Sequence, residues 1–123
     1  MNVALWVVTG SLAAAFLMAG SMKALRPKAD LVGSMAWVED FSQTQVKLIG
    51  TAEILAAIGL VVPPLVDIAP WLSPLAAVGL VLLMAGAAVT HIRRKELQML
   101  PINSVLLLLA AFVAWGRFGP HAF

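Results

Sequence analysis

Four polar side chains interrupt long apolar stretches of this chain: Lys23, Glu53, His91 and Asn103. An ionised carboxylate in hydrocarbon is costly unless it is paired, hydrated or protonated, so Glu53 has to face protein or a water-filled cavity. With Glu53 as acceptor, Lys23 as donor and histidine's ability to change charge near neutral pH at position 91, the set can bind a quinone head group, relay a proton or hold a small polar ligand. The other reading is a single interhelical ion pair, Glu53–Lys23, that fixes helix register, with Lys23 and His91 extending along their stems to the membrane surface. The residues themselves leave both readings open.

Other chemistry is excluded by residue type. The chain has no cysteine, which removes disulfides, thiolate metal sites and thiol redox chemistry by its own side chains. Its two histidines, His91 and His121, are thirty residues apart and fall on opposite predicted sides of the membrane, so a two-histidine metal or haem site within one chain is not expected. Met18, Met22, Met84 and Met99 are too scattered for a methionine metal site, and there is no nucleophile elbow. Arg93-Arg94-Lys95 can meet anionic lipid head groups, but a basic run directly after an apolar span reads first as a topology signal.

The elements that position these residues follow from hydropathy. The chain is 62% hydrophobic and 11% charged over 123 residues, more apolar surface than so few charges can shield in a soluble domain of this size. The sequence therefore predicts an all-α, four-helix transmembrane bundle in one domain, with spans at about 3–25, 45–63, 70–91 and 101–117. No Lys or Arg precedes the first apolar run, so the segment reads as retained rather than as a secretory signal.

A short interfacial segment is expected between the first two spans, with Asp30 as its N-cap, Trp37 near head-group level, and Leu31, Val32, Met35, Val38 and Phe41 as further apolar anchors. Ser42-x-x-Gln45 has the form of a capping box for the second span, which Pro63-Pro64 is expected to stop. Pro70 or Ser73-Pro74 is expected to open the third span, with Ser73 as cap in the latter case; Pro101 opens the fourth, which Trp115 and Arg117 anchor at its far end.

Of the eight basic residues, Lys23, Arg26, Lys28, Lys47, Arg93, Arg94 and Lys95 lie in or beside the first and third connections. Because Lys and Arg are retained in the cytoplasm, both termini are expected outside a bacterial inner membrane. The basic residues flank apolar spans, so no nucleic-acid partner is implied. Small residues spaced by four, Gly10/Ala14, Gly20/Ala24, Ala52/Ala56 and Gly86/Thr90, are the expected helix contacts.

Ala19-Gly20-Ser21-Met22-Lys23, Ile49-Gly50-Thr51-Ala52-Glu53, Gly59-Leu60 ahead of Pro63, and Ala87-Ala88-Val89-Thr90-His91 before a basic loop together resemble the DoxX-like family of small four-span bacterial membrane proteins. The resemblance implies a membrane subunit associated with quinone-linked sulfur oxidation or with thiol and oxidant defence, and it selects Lys23, Glu53 and His91 again. The expectation is an accessory subunit without catalysis of its own, with a quinone as the non-covalent ligand and a redox enzyme or a second copy of the chain as partner. A small proton-coupled transporter, or a structural bundle with no ligand, is the alternative. Small multidrug transporters carry their acid in the first span and use tyrosine, and here the first span has no acid and the chain has no Tyr.

Overall fold

The computed structural model describes residues 1–31, 33 and 35–123; Val32, one of the expected interfacial anchors, lies outside them. The described chain forms five helices, α1 Asn2–Leu25, α2 Lys28–Leu31, α3 Gln43–Val66, α4 Leu72–Arg93 and α5 Leu100–Phe118, with 3₁₀ turns at Ala36–Asp40 and Leu97–Met99. Four of these helices are long and apolar enough to cross a membrane. In the most apolar stretch of each, only 17–28% of the residues are buried in the protein, so most of the apolar side chains need lipid as their solvent. Leu17, Leu48, Leu55, Leu82 and Leu108 are among the leucines that point outward.

The helices form a ring in which α1 packs on α3, α3 on α4, α4 on α5 and α5 on α1. A packed layer of Leu12, Phe16, Ala57, Leu60, Ala77, Leu80, Met84, Ala110 and Val113 fills the half of the bundle remote from the basic connections. A smaller cluster, Leu31, Val38 and Val46, packs the first connection against the start of α3.

Local chemistry sets the helix ends, and it corrects three expectations. The capping box at Ser42 is present: Gln45 N–H donates to Ser42 Oγ at 3.1 Å, and Ser42 N–H donates to Gln45 Oε1 at 2.9 Å. Asp30, in contrast, lies inside α2 rather than at its cap. Pro63 and Pro64 do not stop α3, which continues to Val66 and closes at Asp67 in the left-handed conformation. Proline removes the N–H that would bond the carbonyl four residues back, so Pro64 frees the Leu60 carbonyl. Ser73 Oγ donates to that carbonyl at 2.7 Å from the neighbouring helix. Ser73 therefore sits inside α4, which starts at Leu72, and repairs α3 instead of capping its own helix.

Ser73→Ala would leave the Leu60 carbonyl without a donor where water is absent. The expected cost is about 1 kcal/mol, the scale of one interhelical hydrogen bond in lipid. It should appear as a lower midpoint in reversible unfolding with mixed micelles, and Ser73→Thr should keep the bond and recover most of the loss.

Helices α1 and α3 come into backbone contact at Gly20 and Gly50. A Cβ at Gly20 would fall 2.6 Å from the Gly50 carbonyl oxygen; one at Gly50 would fall 2.6 Å from the Gly20 carbonyl oxygen and 2.7 Å from the Ala24 nitrogen. Two backbones at this distance exclude every side chain, and only reciprocal glycines permit the crossing. Gly10 and Gly86 face open space, so the expected contacts at Gly10/Ala14 and Gly86/Thr90 are not helix crossings within this chain.

Candidate functional site

α1 and α3 run antiparallel, so across the crossing Gly20 faces Glu53 and Gly50 faces Lys23, and the long lysine side chain spans the one turn between the two charged residues. Lys23 Nζ donates to Glu53 Oε1 at 2.5 Å. Glu53 is only 1% exposed, and its Oε2 has no partner among the described residues. The Lys23 ammonium also lies 5.3 Å from the centre of the Trp37 ring, a cation–π distance. Lys23 is two residues from the end of α1 whereas Glu53 is ten residues into α3, so the first two turns of α3 run on past α1 and are covered by the first connection through Val46, Leu31 and Val38.

Both members of the pair line a cavity of about 610 Å³. His91 and Asn103 line it too, with Phe16, Leu83 and Leu106 among its apolar residues. The structure thus brings all four polar residues selected from the sequence to one space, in the half of the bundle that carries the basic connections. Asn103 is partly committed to structure, since its Nδ2 donates to the Met84 carbonyl at 2.8 Å across α5 and α4. Its side-chain carbonyl keeps its acceptor capacity.

The basic run after α4 divides in use. Arg93 is exposed and reaches the cavity wall. Arg94 turns across to the first connection, where Nη1 meets Asp40 Oδ1 at 2.8 Å and Nη2 lies 3.9 Å from Glu39 Oε1, and its Nε donates to Glu96 Oε2 at 3.2 Å. Lys95 adopts a left-handed conformation, φ 59°, that ends α4. The Glu96 N–H then donates back to the His91 carbonyl at 2.8 Å, closing a Schellman turn. That turn sets the Glu96 carboxylate 3.0 Å from His91 Nδ1, and because a carboxylate only accepts, Nδ1 carries the proton.

The His91 hydrogen bond, followed by Arg94, holds the Glu96 carboxyl below its ordinary range, and Glu96 and Asp40 hold the Arg94 guanidinium above its own. A depressed carboxyl favours the folded arrangement above its ordinary pKa and loses that contribution as pH falls through the lowered value. The linkage is therefore complete at neutral pH and weakens only in acid.

Two features of the site were not read from the sequence. The Arg94 linkage was signalled by Glu39-Asp40 in one connection and Arg94 in another that must share its membrane side. The glycine crossing was signalled by the equal spacing of Gly20-x-x-Lys23 and Gly50-x-x-Glu53. At the opposite end, Arg117 is 4% exposed rather than spread on a membrane surface: Nη1 donates to Asn2 Oδ1 at 2.8 Å and to the His121 carbonyl at 3.0 Å, and the guanidinium stands 4.0 Å from the Phe123 ring centre. Trp115 does point outward, as an anchor would.

Among the described residues, no three His, Asp or Glu side chains converge as a metal site. No curated protein and no solved structure matches the chain. The sequence profile of the DoxX-like family matches residues 7–113, which include all four long helices in whole or large part and every polar residue of the cavity. The chain is a small multi-pass membrane protein and belongs to the DoxX-like family.

Proposed function

We propose that this protein is an accessory membrane subunit of a quinone-linked redox system and that it holds a quinone-class head group against Lys23 and Glu53. The observation that carries this reading is a buried Lys23–Glu53 pair on the wall of a largely apolar cavity, with Glu53 Oε2 left without a partner among the described residues. A lysine ammonium has three N–H donors, of which Glu53 takes one, so a quinone carbonyl can accept another. A quinol hydroxyl can donate to Glu53 Oε2. The ring and tail would lie against Phe16, Leu83 and Leu106, and the volume falls within the range of about 300–1,000 Å³ usual for small-molecule sites. Electron transfer belongs to a partner enzyme in this reading, since the chain supplies no thiol of its own.

The charge distribution supports an orientation with the basic connections, and hence the cavity, toward the cytoplasm of a bacterial inner membrane and both termini outside. The transporter alternative has no such observation behind it.

Purification from native membranes in mild detergent, followed by mass spectrometry of all co-purifying molecules, tests the reading. Wild type should carry a quinone in near-stoichiometric amount together with a redox enzyme, and Glu53→Gln should lose the quinone. A wild-type preparation free of both would overturn the proposal.

A further inference from the structure

The walls of the cavity are unequal, and the inequality bears on how a ligand reaches it. On α4, Ala76, Leu83, Ala87 and Thr90 recur at spacings of seven, four and three, which places them on one face of the helix. At its outer end that face packs on α3, where a Cβ at Gly59 would lie 3.2 Å from the Ala76 Cβ, and the Ser73–Leu60 hydrogen bond joins the same two helices nearby. Toward the basic end the same face lines the cavity at Leu83, Ala87 and Thr90. Ile49 and Glu53 of α3 line the same cavity, so at this end cavity space lies between the two helices. Next to this face, Leu82 and Val89 line the cavity and are also 68% and 49% exposed, and Gly86 between them has nothing within 4 Å of where a Cβ would stand. The cavity thus continues to the bilayer side of α4.

Toward the aqueous phase at the basic end the arrangement is the reverse. Trp37 and Phe41, from the 3₁₀ turn and the residue after it, form that wall of the cavity, packed edge to face with ring centres 5.5 Å apart. Arg94 fastens this turn to the α4–α5 connection through Asp40, with Glu39 further off and Glu96 holding the guanidinium from its own side. Among the described residues, the charged contacts that join the two connections centre on this one arginine.

We infer that the cavity exchanges its contents with the bilayer through the gap between α3 and α4, and that the turn Ala36–Asp40, latched by Arg94, closes it to water. This inference rests on the cavity being the ligand site of the proposed function, and it restricts the ligand to molecules that partition into lipid; a water-soluble metabolite would meet the closed side.

The chain's lack of cysteine gives a test that needs no ligand. Ala87→Cys places a single thiol on the cavity wall. In nanodiscs of phosphatidylcholine and phosphatidylglycerol, N-ethylmaleimide should label it at least about tenfold faster than a sulfonated maleimide does, after each rate is normalised to Gln98→Cys in the exposed connection, because the sulfonate must shed its hydration to enter through lipid. Adding Arg94→Ala should raise the sulfonated rate about fivefold, the scale of losing a small ion-pair network, and leave the N-ethylmaleimide rate within about twofold. Equal normalised labelling by both reagents with Arg94 intact would overturn the inference, as would a sulfonated rate that Arg94→Ala does not change. Thr90→Cys provides the same readout should Ala87→Cys fail to insert. Because no quinone is present, these outcomes stand apart from those of the co-purification experiment, and a failure of either reading can be told from a failure of the other.

Discussion

Lys23→Met should destabilise the bundle by about 3–5 kcal/mol, the cost of removing one partner from a buried ion pair. The carboxylate of Glu53 is 1% exposed, its short side chain cannot reach the membrane surface, and no other cation lies within salt-bridge distance of it among the described residues. The reverse change, Glu53→Leu, should cost markedly less, because Lys23 is two residues from the end of α1 and its four-carbon stem can carry the ammonium to the basic-side surface. The double variant Lys23→Met/Glu53→Leu should recover most of the loss, since an apolar pair of similar volume replaces the ions. Unfolding in mixed micelles checks the series. If Lys23→Met proves as stable as wild type, the pair is not buried in the way described.

Gly50→Ala should cost about 2–3 kcal/mol, at the upper end of what an inserted methyl group causes in a packed interior. Its Cβ would meet the Gly20 carbonyl oxygen at 2.6 Å and the Ala24 nitrogen at 2.7 Å, and both are backbone atoms that cannot turn aside. Relief requires α1 and α3 to separate, which would also pull Lys23 from Glu53. Gly50→Ala should therefore lose stability and ligand binding together. Gly10→Ala and Gly86→Ala serve as controls: their positions are open, so exchanging a mid-helix glycine for alanine should be neutral or slightly stabilising. Equal effects at all three glycines in the same unfolding assay would contradict the crossing.

What could be read from the sequence follows from how local each determinant is. The four long helices were legible because hydropathy and length act within one segment, and the Ser42–Gln45 box because both partners are three residues apart. The continuation of α3 through Pro63 and Pro64 was not, since the donor that satisfies the freed Leu60 carbonyl comes from Ser73 on another helix. A search for small residues four apart within a helix finds Gly20 but cannot tell that its partner is Gly50 on α3, nor that Gly10 and Gly86 face open space. The polar residues of the cavity were legible for a different reason: lipid makes each of them expensive, so their presence alone singles out Lys23, Glu53, His91 and Asn103. Arg94 escaped that logic because it lies just beyond the span, where a cation is cheap, and only the fold reveals that Asp40 waits for it.

The central claim, that Lys23 and Glu53 present a binding site for a quinone-class head group, is tested most directly by the fluorescence of Trp37, whose ring lines the cavity and lies beside the Lys23 ammonium. With Trp6, Trp71 and Trp115 replaced by phenylalanine, titration of the protein in nanodiscs with a short-chain quinone should give saturable quenching, and Glu53→Gln in the same background should abolish the saturable phase. Linear, non-saturating quenching that is identical in the two proteins would contradict the account.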